Sequence, residues 1–330
     1  MLLRLLLAIS LIFLLKAEDG LFDHPIMTNS LLKVKELTPS TMRGAIAKKQ
    51  INPGDIIIHV PAEFLITTRT ILRLDTELAK KLAASLKVGG KFEVGEHALF
   101  ALFIMRERER IMSGFNDKSS LLSRYVEDLI LLESEMRQME PVLVNAMRDE
   151  EDTQNFWRFF DSGSTLLTYE GSRERSKMTR EAKKLCEWAR EGYDKLIVRL
   201  GLGGVYDFDT YLWIWMIVET RFWELETNGT DEFDLGKYFT SENVEKGTMM
   251  HMAPFADLLN FGDQPNLGYY EGCVGCVGGL GGGGGFTIEA TEEINEGEEV
   301  NYFYGDNCKS YFKIHYGFES ELNDAACDWG

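Results

Sequence analysis

Basic side chains are scarce in this sequence of 330 residues, which has 35 lysines and arginines against 53 aspartates and glutamates and a formal net charge of −18. A nucleic-acid partner requires a basic face that displaces counterions from the phosphates. The densest basic segment, Arg106–Arg110, alternates arginine with glutamate. Charge therefore argues against nucleic-acid binding, and it is compatible with attraction of a basic protein segment.

Cysteine is too rare and too scattered for a disulfide scaffold. The five cysteines include one CxxC pair, Cys273 and Cys276, without the second short-spaced pair that a closed zinc site requires. The five histidines form neither HxxxH nor HExxH. We therefore expect isolated thiols and no metal centre.

The sequence also lacks an apolar run long enough to span a membrane. The stretch that comes nearest to this length lies in the first seventeen residues. Arg4 precedes the mostly apolar stretch Leu5–Leu15, and Ala17 stands before two acidic residues. This stretch is too short to span a bilayer, which takes about 20 residues, and the pattern of residues 1–17 is typical of a signal peptide. A buried N-terminal helix is the alternative. We expect no stable membrane span and entry into the secretory pathway, towards the ER lumen, secretion or a plastid reached through a complex-plastid route. If the leader is not cleaved, the expected location is the cytoplasm.

Apolar periodicity divides the chain into a β-rich start, a helical middle and a β-rich end. Two short β-like runs flank the turn signal Asn52–Asp55, and two more, at 266–270 and 286–290, flank a glycine-rich loop at 272–285. Between these parts, apolar residues recur at helical spacing over 70–87, 94–112, 121–132, 173–199 and 209–225.

This order predicts a first β part at 30–68, a helical insertion at 69–248 and a second β part at 249–320. The last helical stretch is apolar on all sides, which predicts that it is buried. Because one domain must bring both β parts together, we expect the chemistry to lie where they meet.

Three stretches of sequence carry a resemblance to a known family. They are Arg43–Ala47 before a Pro-Gly-Asp turn, Pro254–Asn260 followed by Pro265-Asn266, and Ile294–Asp306 followed by His315–Phe318. Together they resemble the SET-domain protein methyltransferases, in particular the split-SET group typified by the Rubisco large-subunit lysine methyltransferases. The resemblance implies an α+β fold, a SET-type β-fold of short strands in two sequence-separated halves interrupted by a long helical insertion.

The resemblance implies methyl transfer from S-adenosylmethionine to a lysine side chain of a non-histone protein, by a monomer and without a metal. The acceptor could instead be a histidine. The methyl group moves in line from sulfur to nitrogen, so such a site must align the two reactants and exclude water.

The resemblance also assigns roles to individual residues. Tyr304 is the catalytic residue, and its hydroxyl must lie inside the protein near Asn260. Tyr302 and Tyr316 line the substrate channel. The implied cofactor-binding residues are Gly44, Ala45, Ile46, Arg221, Asp257, Asn260, Phe261 and Phe318.

Structural roles compete with several of these assignments. Arg221 could form a salt bridge with Glu219 or Glu224, Asn260 could bond its own backbone in a turn, and Asp257 could cap a helix or strand. Tyr302 could be plain core. His59 and His315 are interpreted as packed rather than catalytic.

The sequence departs from the family pattern at the cofactor loop and after Asn260. The family's Gly-x-Gly is Met42-Arg43-Gly44 here, and its Asn-His is Asn260-Phe261. Family members of this type also usually continue into a helical substrate-binding domain, whereas twelve residues follow Phe318 here, so we expect that domain to be missing from this sequence. These departures keep open a second hypothesis, a catalytically degenerate SET-like module that binds proteins.

Overall fold

The structure is a computed structural model. It describes residues 31–36, 43–89, 95–114, 122–127, 129–130, 180–181, 184–185, 187–226, 248–271, 285–305 and 307–316. The proposed leader, Met42, residues 272–284 of the glycine-rich loop and Phe318 lie outside these ranges.

The chain divides into two units, each formed from two segments of sequence. Unit 1 comprises residues 1–65 and 253–305, and unit 2 comprises residues 66–252 and 306–330. The domain boundaries inferred from the sequence stay predictions.

Short strands dominate unit 1 and helices dominate unit 2. In chain order the strands are β1 (Leu32–Glu36), β2 (Arg43–Ala47), β3 (Ile56–Pro61), β4 (Ile66–Thr67), β5 (Trp223–Glu226), β6 (Thr248–Met252), β7 (Asn260–Phe261), β8 (Leu267–Glu271), β9 (Gly285–Ala290) and β10 (Glu299–Tyr302). The helices are α1 (Thr68–Leu74), α2 (Thr76–Gly89), α3 (Glu96–Met112), α4 (Phe208–Glu219) and α5 (Lys309–Tyr316), with a π-helical segment at Tyr193–Val198.

Unit 1 contains two sheets in which strands from both ends of the sequence pair. One sheet has the order β1-β2-β10-β7 and the other the order β3-β9-β8. Within the first, Ala45 of β2 lies opposite Val300 of β10 in an antiparallel ladder, and β10 then runs parallel to β7. This arrangement confirms the α+β fold of two sequence-separated β halves with a helical insertion.

The turn at Asn52–Asp55 is confirmed, and so is the pairing of the two β-like runs on either side of the glycine-rich loop. Asp55 donates its backbone N–H to the Asn52 carbonyl at 3.0 Å, and Gly54 takes φ +83°, which glycine adopts without strain. Strands β8 and β9 pair antiparallel, with Tyr269 opposite Ile288. The hairpin predicted on either side of the glycine-rich loop is therefore present.

The helix predicted over 70–87 is two helices that break at Asp75. The Asp75 carboxylate accepts the backbone N–H of Leu78 at 2.9 Å, so it caps the start of α2. It also binds the Arg106 guanidinium of α3 at 2.5 Å. Periodicity alone missed this break, because capping is chemistry of a single residue.

Helix α3 confirms the helix predicted over 94–112, and α4 confirms the buried apolar helix only in part. Residues Tyr211–Val218 are buried on all sides, as expected. The helix ends at Glu219, however, and strand β5 follows it. In β5, Trp223 lies opposite His251 of β6. The predicted extension to 225 was wrong because strand pairing overrides local helical propensity.

Candidate active site

The Tyr304 hydroxyl lies against backbone at the end of β10. Its O–H donates to the Leu259 carbonyl at 2.6 Å, one residue before Asn260, and the side chain is half-buried. Its ring packs against Tyr302 at 5.3 Å and edge-on against Phe261 at 5.6 Å between centroids. Tyr304 and Asn260 therefore lie close together in unit 1.

The parallel pairing of β7 with β10 creates this arrangement. Asn260 lies opposite Asn301 and Phe261 opposite Tyr302, and the Gly262 N–H donates to the Tyr302 carbonyl at 3.1 Å. A Cβ on Gly262 would stand 2.1 Å from the Asn301 side-chain oxygen. Glycine thus permits β7 and β10 to approach closely just before Tyr304.

The Asn260 side chain bonds to β10 across the strand pair. Its amide donates to the Glu299 carboxylate at 2.9 Å. This contact holds β7 against β10.

Asn266 has a role that the sequence analysis did not assign. Its amide N–H donates to the Glu299 carbonyl at 2.9 Å, and its side-chain oxygen accepts the Asn301 N–H at 3.0 Å. One side chain therefore fixes the backbone of β10 on either side of Val300. The only signal in the sequence was its place after Pro265 in the second motif.

The predicted cofactor residues of β2 occupy a strand between two neighbours. Ala45 and Ile46 are buried and pair with β10, whereas Gly44 lies opposite Lys35 of β1. Strand β10 lies between β2 and β7: Glu299 and Val300 pair with β2, and the next two residues pair with β7.

Asp257 lies in the short 3₁₀ helix Ala256–Leu258, where its side chain is buried. The preceding Phe255 has φ +70°, a left-handed conformation that costs a bulky residue free energy. Its ring is 2% exposed. Tight packing therefore maintains a strained backbone beside Asp257, a feature that no sequence pattern indicated.

Tyr302 lies in the interior of unit 1, with 8% of its surface exposed. Tyr269 packs edge-on against it at 5.8 Å and stacks on Phe286 at 5.5 Å. Tyr269 itself is 51% exposed. The aromatic cluster around Tyr304 therefore extends from the interior to the surface.

Two predicted site residues, Arg221 and Tyr316, belong to unit 2. Arg221 is half-buried just after α4, and its N–H donates to the Val218 carbonyl at 3.0 Å. Tyr316 ends α5 and packs against Phe312 at 5.9 Å. Glu219, one of the salt-bridge partners considered for Arg221, instead binds His97 and His315, at 2.9 and 3.0 Å.

The histidines interpreted as packed have polar partners. His59 shares a hydrogen bond of 2.8 Å with the Thr287 hydroxyl, and burial lowers its pKa. His315 is 9% exposed and stacks on Tyr311 at 4.0 Å.

Cys308 corrects one expectation, because it is in a disulfide bond rather than an isolated thiol. The other four cysteines lie outside the described residues. Among the residues that the structure describes, no cluster of His, Cys, Asp and Glu side chains has an arrangement that could hold a metal ion. None of the described helices is both long and apolar enough to cross a bilayer.

One family model matches the part of the sequence that contains these residues. The family model of the SET domain matches residues 42–305, about four fifths of the chain. No curated protein sequence is significantly similar to the chain.

Several solved structures are similar in fold. The SET domain of LSMT bound to lysine and AdoHcy has a TM-score of 0.43 and 14% identity, over 91% of this chain and 55% of that chain. Rubisco LSMT bound to sinefungin and monomethyllysine has a TM-score of 0.44 and 13% identity, over 92% and 55%. Rubisco LSMT bound to AdoMet has a TM-score of 0.40 and 13% identity, again over 92% and 55%. The chain thus spans just over half the length of these proteins.

Proposed function

Since the chain belongs to the SET-domain family, we propose that it transfers a methyl group from S-adenosylmethionine to a lysine side chain of a protein. The observation that carries this proposal is the Tyr304 hydroxyl, which is fixed by the Leu259 carbonyl beside β7. Family membership supports the methyltransferase class, and lysine as acceptor rests on the sequence motifs.

The residues present suit this cofactor. Phe261 and Tyr304 form an aromatic corner with their rings edge to face, which can contact an apolar or cationic group. The Asn301 side-chain oxygen is buried and accepts no hydrogen bond among the described residues, so an N–H or O–H of a ligand would satisfy it. When bound, S-adenosylmethionine supplies an activated methyl group on a sulfonium centre.

We assign the cofactor to the residues around this corner. Asn260, Phe261 and the backbone of Gly44–Ile46 would hold its nucleoside part, and Asp257 and Phe318 belong to the same proposed set. The Arg221 guanidinium has the fork geometry that suits a carboxylate, so we propose that it binds the amino-acid end.

Tyr304 would act as a hydrogen-bond acceptor in the reaction. A phenol has one O–H proton, and that proton is committed to the Leu259 carbonyl. The hydroxyl therefore presents lone pairs to any other neighbour. Such an oxygen can orient the N–H groups of an incoming amine and interact with the polarised hydrogens of the methyl group.

The amine must arrive without its proton, since a free lysine titrates near pH 10.4. Burial in a channel lined by aromatic side chains such as Tyr302 would disfavour the charged form and lower the lysine pKa. The aromatic walls would also exclude water, which competes for hydrogen bonds to the acceptor nitrogen.

The first test measures cofactor binding and methyl transfer separately. Calorimetry of the full chain with S-adenosylmethionine is expected to show saturable binding, and labelled cofactor with a protein extract is expected to label a lysine identified by mass spectrometry. No binding at millimolar cofactor would refute the enzyme and support the degenerate module. Label on histidine would refute the choice of acceptor.

The second test removes the Tyr304 oxygen alone. Tyr304→Phe is expected to lower kcat by about 10² or more, the scale of losing one oriented polar group, with cofactor affinity preserved. Tyr193→Phe is the matched control, because it deletes a hydroxyl that donates to a backbone carbonyl, that of Tyr206, at 2.7 Å. Equal rates for the two variants would refute the role of Tyr304.

We also propose that the protein works in an oxidising compartment, because disulfides persist mainly there. The disulfide at Cys308 supports this proposal. A reporter fused to the first 30 residues is expected to enter the secretory pathway. Cytosolic retention of the reporter, with a free Cys308 thiol in the native protein, would contradict it.

A further inference from the structure

Three helices of unit 2 meet at one carboxylate that the proposed chemistry does not use. Glu219 ends α4, and its two oxygens face imidazoles from different helices. His97 Nε2, from the first turn of α3, lies 2.9 Å from Oε2. His315 Nδ1, from the last turn of α5, lies 3.0 Å from Oε1.

The environment of Glu219 keeps it charged and fixed. Burial alone would raise the pKa of this carboxyl, but the hydrogen bond with His315 and the close approach of His97 outweigh it and lower the pKa to about 2. Because a carboxylate only accepts hydrogen bonds, His315 must present an N–H at Nδ1. This bond therefore sets both the position and the tautomer of the His315 ring, and His97 lies within ion-pair distance of the other oxygen.

Aromatic side chains hold the two imidazoles in place. Tyr311 stacks on His315 with centroids 4.0 Å apart and an interplanar angle of 20°. Phe222 packs edge-on against His97 at 4.7 Å. The side chains of Glu219 and His315 are only 11% and 7% exposed, so water competes little for these bonds.

The cluster lies between two residues that the proposed reaction needs. Arg221, the proposed carboxylate ligand, is two residues after Glu219 and is joined to α4 by its N–H bond to Val218. Tyr316, a proposed channel residue, directly follows His315 in the last turn of α5. Within unit 2, the Glu219–His315 bond therefore connects the segment that carries Arg221 with the helix that carries Tyr316.

We propose that Glu219 is a positioning residue for methyl transfer, which holds α5 through His315 and so sets Tyr316 relative to Arg221. His97 orients the carboxylate from the other side. This inference rests on the proposed function, since it assigns a purpose to the connection between Arg221 and Tyr316. A displacement of about 1 Å in a substrate-aligning group can cost 10²-fold in rate, so the connection is expected to matter for turnover.

The test compares Glu219→Gln, His315→Ala and His315→Asn in the full chain. Glutamine keeps the shape but removes the negative charge, so it weakens the charge-assisted bond from the His315 N–H and the close contact with His97. Asparagine can place an N–H close to the position of Nδ1, and alanine cannot. Asp75→Asn is the control, because it weakens the ion pair with Arg106, which also lies in unit 2.

Two readouts are measured, one independent of activity. Amide hydrogen exchange of the peptide covering α5 is expected to accelerate about tenfold in Glu219→Gln and His315→Ala, and much less in His315→Asn. In methyl transfer to a protein extract, kcat is expected to fall about tenfold or more in Glu219→Gln and His315→Ala. The affinity of His315→Ala for sinefungin is expected to stay within about twofold of the wild-type value. His315→Asn is expected to restore kcat. Asp75→Asn is expected to lower the melting temperature without changing either readout.

Three results would overturn the inference: unchanged α5 exchange in Glu219→Gln, unchanged kcat despite faster exchange, or an equal loss of kcat in Asp75→Asn. A wild-type chain that neither binds sinefungin nor transfers methyl groups would instead refute the proposed function. In that case the exchange experiment would still show whether Glu219 holds α5.

Discussion

Replacing Asn266 with alanine tests whether one side chain holds the strand that leads to Tyr304. The variant removes the bond to the Glu299 carbonyl and the bond from the Asn301 N–H, while the backbone of residue 266 can stay where it is. Both partners are backbone groups of β10 that would lose a hydrogen bond.

Each lost hydrogen bond costs about 1 kcal/mol net, because both sites are only half-buried and water can replace part of each bond. Asn266→Ala is therefore expected to lower the free energy of unfolding by about 2 kcal/mol. Since β10 then moves more freely, Tyr304 loses part of its alignment, and we expect kcat to fall by about tenfold or more.

Asn295→Ala is the matched control, since its amide bonds only to Glu298 in an exposed turn, at 3.1 Å. It is expected to cost no more than about 0.5 kcal/mol, as surface substitutions usually do. Urea unfolding, followed by tryptophan fluorescence and by circular dichroism, measures both variants. Indistinguishable midpoints for the two would refute the reasoning.

Two further predictions concern stability. Burial lowers the pKa of His251 from its ordinary value of 6.5 to about 3. Between these pH values the unfolded chain takes up a proton at this imidazole and the folded chain does not. Between pH 7 and pH 5, this difference should lower the free energy of unfolding by about 2 kcal/mol. His251→Leu should flatten that part of the pH profile measured in urea, and an unchanged slope would show that the imidazole is not buried in its neutral form. Gly262→Ala should destabilise the protein by about 1–3 kcal/mol, because its Cβ would overlap the Asn301 side chain. Gly204→Ala is the control, since nothing lies within 4 Å of the added Cβ, and it should have little effect when both variants are compared by thermal unfolding.

The features that sequence predicted well are those set by local pattern. The turn at Asn52–Asp55, the hairpin of β8 and β9, and helix α3 follow from turn residues and apolar spacing, which act over a few residues. The meeting of the two β parts was expected from the order of β and helical segments, whereas the particular pairing of β2 with β10 was not predicted.

The features that sequence could not predict depend on contacts between distant residues. The end of α4 needs the partner strand β6, and the carboxylate of Asp75 that caps α2 also binds Arg106 of another helix. Periodicity gave no indication that His97 and His315 would share Glu219. The strained Phe255 is stable only because surrounding packing maintains it.

The antiparallel ladder between β2 and β10 has a consequence for biosynthesis. Ile46 lies opposite Glu299, so the first strands leave the ribosome long before their partner is made. At about 5–20 residues per second, the wait is on the order of tens of seconds. During that time β1–β3 carry unpaired edges that favour aggregation, so nascent chains of this protein should depend on chaperones until nearly the whole sequence has been translated.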